Sequence, residues 1–153
     1  MLRSSCLRLI AIACSLAALV LAALVVPRVA AAAPGNRALG TRLVTRYLFD
    51  LQRHDVADLR RFLSPAFQVA RGDGLRQTKS EILRNPPEIH RYTIRAMQVT
   101  TNANVLIATF ELSVREVIGG KPFHTKYAPR AAGFIALAKG WQMINYANFN
   151  TPR

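Results

Sequence analysis

From Ile89 onward, apolar residues recur at every second position through four successive segments, and no other feature of the chain restricts its fold so strongly. Side chains alternate across a strand, so each segment offers one face to a core and one to water. The spacing predicts strands over Ile89 to Thr100, Val105 to Ile118, Phe123 to Ala138 and Trp141 to Asn150. Their connections are short and carry turn formers, at Thr101-Asn102, Gly119-Gly120 and Lys139-Gly140. Short turns join antiparallel neighbours, so the four strands form a meander. In the second, Leu106, Ala108, Phe110, Leu112 and Val114 make a wholly apolar face, while Thr109, Glu111, Ser113 and Arg115 face water. One side of the sheet is therefore buried, and residues earlier in the chain must cover it.

Those earlier residues have the helical period. Leu39, Leu43, Tyr47 and Leu51 recur every four positions over Asn36 to His54, with Val44 and Leu48 beside them and Arg42, Arg46 and Arg53 off the stripe. Asp55 is placed to cap a short helix over Val56 to Leu63, which Ser64-Pro65 stops. Phe67 to Arg71 reads as a short strand and Gly72-Asp73-Gly74 as a turn. Thr78-Lys79-Ser80-Glu81 has the form of a capping box for a third helix reaching Arg84, and Asn85-Pro86-Pro87 ends it. Helices first and an antiparallel sheet afterwards make an α+β domain whose core is one helix–sheet interface.

The N-terminus is of another kind. Met1 to Ala33 has no acidic residue, Arg3 and Arg8 precede an apolar run from Leu9 to Val26, and Ala30 and Ala32 supply an A-x-A cleavage pattern. Residues 1–32 are expected to be a signal peptide and 33–153 the domain; the apolar run is also long enough to remain as an anchor over residues 9–26. Either outcome exports the domain, to the periplasm or the outside. Both cysteines, Cys6 and Cys14, fall in the leader, so the domain carries no disulfide, thiolate metal site or cysteine nucleophile. The formal charge is +13, of which Arg3, Arg8 and Arg28 lie in the leader, leaving +10. The basic residues are scattered and lack interleaved aromatics, which implies weak attraction to anionic surfaces and no nucleic-acid partner.

Several segments in order, Leu43 to Leu48, His54 to Leu59, Phe62 to Phe67, Ala128-Pro129-Arg130 and Trp141 to Asn150, together resemble the nuclear transport factor 2-like superfamily over about Leu39 to Asn150. The ending Ala147-Asn148-Phe149-Asn150 is similar to that of exported bacterial members with no assigned reaction. The resemblance implies a cystatin-like cone, a curved antiparallel sheet wrapped around the N-terminal helices and enclosing a pocket. The superfamily includes ketosteroid isomerases, polyketide cyclases, epoxide hydrolases and dehydratases beside non-catalytic members, so the fold alone assigns no activity.

Compared with ketosteroid isomerase, Tyr47 falls at the oxyanion-hole tyrosine, but the base position reads as Arg71 and the second donor position as Ala131. The resemblance thus implies a pocket without that enzyme's acid–base pair. Its expected lining is Tyr47, Phe110, Leu112, Ala131, Gly133, Asn145 and Phe149, with Asn145 as the polar contact. Expected partners are a small apolar molecule or an envelope protein, without cofactor or metal, since His54, His90 and His124 have no partners at metal-ligand spacing. The polar outward face is compatible with a monomer or a homodimer. An alternative is an isomerase-, cyclase- or hydrolase-type enzyme with Tyr47 as hydrogen-bond donor, which requires Asp73, Asp50 or His90 inside the pocket.

Overall fold

A computed structural model describes residues 34–149. The expected signal peptide or anchor lies outside the described residues. Helix α1 (Pro34–Gln52) and helix α2 (Val56–Phe62) lead into strand β1 (Leu63–Ala70), strand β2 (Arg76–Thr78) and helix α3 (Lys79–Arg84). The long strands β3 (Glu88–Asn102), β4 (Val105–Ile118), β5 (Lys121–Leu137) and β6 (Gly140–Asn148) complete the chain. They form one six-stranded sheet in the order β2-β1-β6-β5-β4-β3. The domain is α+β, with a curved, unclosed sheet and its helices at the N-terminal end.

Local chemistry sets the short elements. Asp55 caps α2 by accepting from the Asp58 N–H at 2.8 Å. Thr78 and Glu81 form the capping box of α3, in which the Thr78 N–H donates to Glu81 Oε2 at 2.6 Å. β1 begins four residues earlier than the sequence pattern suggests, directly after α2, and lies parallel to β6 with Gln68 opposite Asn145 and Val69 opposite Tyr146. β2, not anticipated from its sequence, is a three-residue strip pairing antiparallel with β1.

The apolar stripe of α1 packs on β3 and β4. Leu43, Val44, Tyr47, Leu48 and Leu51 join Leu106, Ala108, Phe110, Leu112 and Val114 in one buried cluster. Strands of 14 to 17 residues would flatten away from so short a helix layer, but four register shifts bend them, one between Ile89 and Arg91 at the start of β3 and three more. The β3–β4 register shifts between Arg95 and Gln98, where Ala96 has φ of 53°. The β4–β5 register shifts between Leu112 and Val114, opposite Tyr127 with φ of 43°. These two side chains sit in left-handed backbone that favours glycine, at a cost on the order of 1 kcal/mol each. The last shift falls between Gly133 and Phe134, where Ile144 of β6 is the extra residue.

Gly40 on α1 sets how closely the helix approaches β3, because a Cβ there would lie 2.5 Å from a methyl of the buried Val99. Gly40→Ala should raise helix propensity by up to about 1 kcal/mol yet destabilise the fold by about 1–2 kcal/mol net through overpacking. Urea denaturation of the single variant and of Gly40→Ala/Val99→Ala tests this: the second change should recover part of the loss, whereas strict additivity would refute the proposed contact.

Candidate functional site

Between α1, α3 and the inner face of the sheet lies a cavity of about 50 Å³. Leu48, Leu51, Val69, Ile82, Leu112 and Val114 form its apolar walls. Two phenols stand inside. Tyr47, 2 % exposed, comes from the buried stripe of α1, and Tyr146 comes from β6; their ring centroids are 5.1 Å apart. Burial raises the pKa of both hydroxyls, so each is a protonated donor at neutral pH; Arg130 partly offsets this at Tyr146.

The cavity narrows to a polar neck made by Arg71, Glu116, Arg130 and Asn148 with Ile118, all of which also line an outer recess of about 430 Å³. The recess continues past Asp73 and Thr125 to Phe123 and Phe149, both substantially exposed. Each neck residue has a structural origin. Arg71 follows the end of β1, where its Nη2 holds Asp73 at 2.8 Å. Glu116 continues the inward face of β4 beyond Leu112 and Val114. Arg130 pairs with Phe110 across β4–β5 and so shares its inward face; it is only 4 % exposed. Asn148 lies two residues beyond Tyr146 on the same face of β6. Burial pushes the Glu116 carboxyl above the ordinary carboxylate range, and the charges of Arg130 and Arg71 pull it partly back.

The residues expected to line the pocket separate into groups. Tyr47 and Leu112 border the cavity, whereas Phe110 is buried beside it, 6.3 Å from the Tyr146 ring centroid. Ala131, Gly133 and Asn145 turn to the opposite face of the sheet, where the Asn145 side chain packs against Gly133. Phe149, 50 % exposed, belongs to the outer recess. The cause is register. Ala132 and Phe134 pair with the inward Ala108 and Leu106, so the even positions of β5 face the core. In β6 the extra residue at Ile144 lets Met143 and Tyr146 both point inward, turning Asn145 away.

The carboxylate inside the cavity is one the sequence reading did not select. Glu116 was legible, since it extends the alternation of Leu112 and Val114 by one step. Among the groups considered instead, Asp73 stays at the outer recess and His90 is exposed on β3. Asp50 is buried away from the cavity, beside Asp58, which binds Arg46 through Nε at 2.8 Å and Arg61 at 2.9 Å.

No family model matches the chain, and no curated protein matches it. Solved structures do. A nuclear transport factor 2-like protein from Cytophaga hutchinsonii superposes with a TM-score of 0.69 at 10% identity, covering 75% of this chain and 98% of that one. The chain has the nuclear transport factor 2-like fold. A second such protein, from Rhodospirillum rubrum and described as of unknown function in nutrient uptake, gives 0.65 at 13% identity over 73% of this chain and 98% of its own. One from Novosphingobium aromaticivorans, described as having a cystatin-like fold, gives 0.53 at 14% identity over 75% and 81%. These identities support the fold and carry no activity with them.

Within this fold the Asp50–Asp58 pair sets a pH dependence of stability. Burial first, then the hydrogen bond to Asp58 and its charge, push the Asp50 carboxyl up to about 7, while Asp58 is held below its ordinary value by Arg46 and Arg61 despite some burial. A carboxyl raised on folding favours the folded state below its unfolded value of about 4, and this contribution is lost as pH rises through the folded value. Asp58 works in the opposite sense below about pH 4. Asp50→Asn should therefore remove on the order of 1–2 kcal/mol of the stability decline between about pH 5 and about pH 8, read by urea denaturation at both. An unchanged decline would show that Asp50 is ionised in the fold.

Proposed function

We propose that this chain is an exported, non-enzymatic binding domain that takes a small, mostly apolar molecule at the neck that joins the cavity under α1 to the outer recess. The observation that carries this reading is a cavity with one apolar wall and one polar wall, whose neck holds unsatisfied polar atoms. Three buried side-chain atoms among the described residues have no hydrogen-bond partner, and two of them, Arg130 Nε and Asn148 Oδ1, line this cavity. Native interiors rarely leave such atoms unpaired, and a bound molecule supplies the missing partners. Export rests on the leader sequence, with its basic start, apolar run and Ala30/Ala32 pattern. An envelope protein reaching into the recess remains the competing partner in this reading.

A second reading gains one specific observation. Glu116 gives an isomerase-, cyclase- or hydrolase-type enzyme the carboxylate that the sequence comparison lacked, with Tyr47 as donor on the far wall.

Native mass spectrometry of material recovered from its own host should show a small-molecule adduct that denaturation removes. N-terminal sequencing of the same material should begin at Ala33. Absence of any adduct, together with no binding across a panel of small apolar molecules, would defeat the binding reading. Deuterium uptake by the released molecule in heavy water, lost in Glu116→Gln, would transfer the conclusion to the enzyme.

A further inference from the structure

The neck holds more hydrogen-bonding cation than the protein itself uses. Arg130 Nη1 donates to the neighbouring Pro129 carbonyl at 2.9 Å and the guanidinium lies against the Tyr146 phenol, but the buried Nε–H has no partner. Arg71 gives one nitrogen to Asp73. Glu116 feels both charges, yet neither guanidinium forms an ion pair with it among the described residues. A desolvated guanidinium with an unpaired N–H is costly to maintain unless an acceptor completes it, and a carboxylate supplies an acceptor of opposite charge.

We propose that the neck is a carboxylate subsite, and that the domain's ligand is a small acid with a flat apolar body. This rests on the binding reading above. The carboxylate seats on Arg130 with Arg71 beside it, and Asn148 meets it only with its amide turned so that the NH2, not the acceptor Oδ1, faces the anion. The apolar body extends outward into the recess of about 430 Å³ toward Phe123 and Phe149, because the inner cavity of about 50 Å³ is too small for a ring.

Charge balance adds a second consequence. Asp73 already neutralises Arg71, and an ionised Glu116 balances Arg130, so an arriving anion leaves one surplus negative charge in a poorly hydrated neck. Glu116 faces Arg130 and Tyr146 from β5 and β6, Arg71 from the end of β1 and Tyr47 from α1; His90 of β3, Arg115 of β4 and His124 of β5 border a shallow recess with it on its other side, and Asp73, the other carboxylate of the outer recess, is already tied to Arg71. Binding of the acid therefore draws a proton onto Glu116. The same balance disfavours a dianion such as inorganic phosphate.

Calorimetric titration with benzoate, its neutral isostere benzamide and inorganic phosphate tests the subsite. Benzoate should bind at least about tenfold more tightly than benzamide or phosphate, and Arg130→Gln should erase that preference. Benzoate affinity should fall as pH rises above the ordinary carboxylate range, with net proton uptake, and Glu116→Gln should flatten the profile. Should Arg130→Gln not fold, Arg71→Gln at the more hydrated rim carries the test, with a loss of about threefold or more in benzoate affinity alone. Equal binding of benzoate and benzamide, or benzoate binding indifferent to both arginine variants, overturns the subsite and leaves the binding reading standing. A pH-independent benzoate affinity, identical in Glu116→Gln, overturns the proton uptake. If neither aromatic binds at about 10 mM, the subsite is overturned, and the binding reading is decided by the adduct and the panel of apolar molecules.

Discussion

The site depends on the contact between the α1 stripe and the inner face of a bent sheet. The cluster from Leu43 to Leu51 against Leu106 to Val114 is the main apolar burial available to the domain. At roughly 25 cal/mol for each Å² removed from water it is also the term that can offset left-handed backbone at Ala96 and Tyr127. Curvature and cavity follow together. A sheet bent around one helix meets it closely where Gly40 touches Val99 and diverges toward Tyr47, where the two tyrosine rings meet. The end that diverges is also the end where the inward face turns polar.

That polarity change was partly written in the chain. The period of β4 was clear from its sequence, and continuing it by two residues leads from Val114 to Glu116. The helix stripe and the placement of Tyr47 inside it were equally legible, because four-residue spacing leaves little choice of face. The faces of β5 and β6 were not. A period of two tells which residues share a face but not which face is inward, and one extra residue reverses the answer. Ile144 is such a residue: Met143, Asn145 and Phe149 alternate together in sequence and separate in the fold. Arg130 was obscured for another reason. A charged side chain in a strand is ordinarily read as solvent-facing, and only pairing with Phe110 shows that it points inward. The parallel pairing of β1 with β6 joins residues almost eighty positions apart, beyond the reach of local pattern.

The buried charges also explain why this fold would tolerate an imperfect core. Removing one member of a buried charged set leaves the others uncompensated and is strongly destabilising, while replacing the whole set with apolar groups is often neutral or better. Stability alone therefore gives no reason to keep Arg130, Glu116 and two phenols around one small cavity. Asp50 makes a useful contrast. It is equally buried, but its neighbours Asp58 and Arg46 belong to the helix pair α1–α2, so that cluster fixes how two helices meet.

At the neck no two elements need those charges in order to meet, because β4, β5 and β6 are already held by their ladder. The sheet would retain its register with Leu or Val at position 130. What the guanidinium adds is directional: a buried N–H without a protein partner, held between the inner cavity and the outer recess. A flexible lysine at the same place could withdraw toward solvent, whereas Arg130 is restrained by the Pro129 carbonyl and the Tyr146 phenol. The fold therefore bears the desolvation of one cation at the neck, and in the proposed binding reading this is the cost that a ligand would relieve.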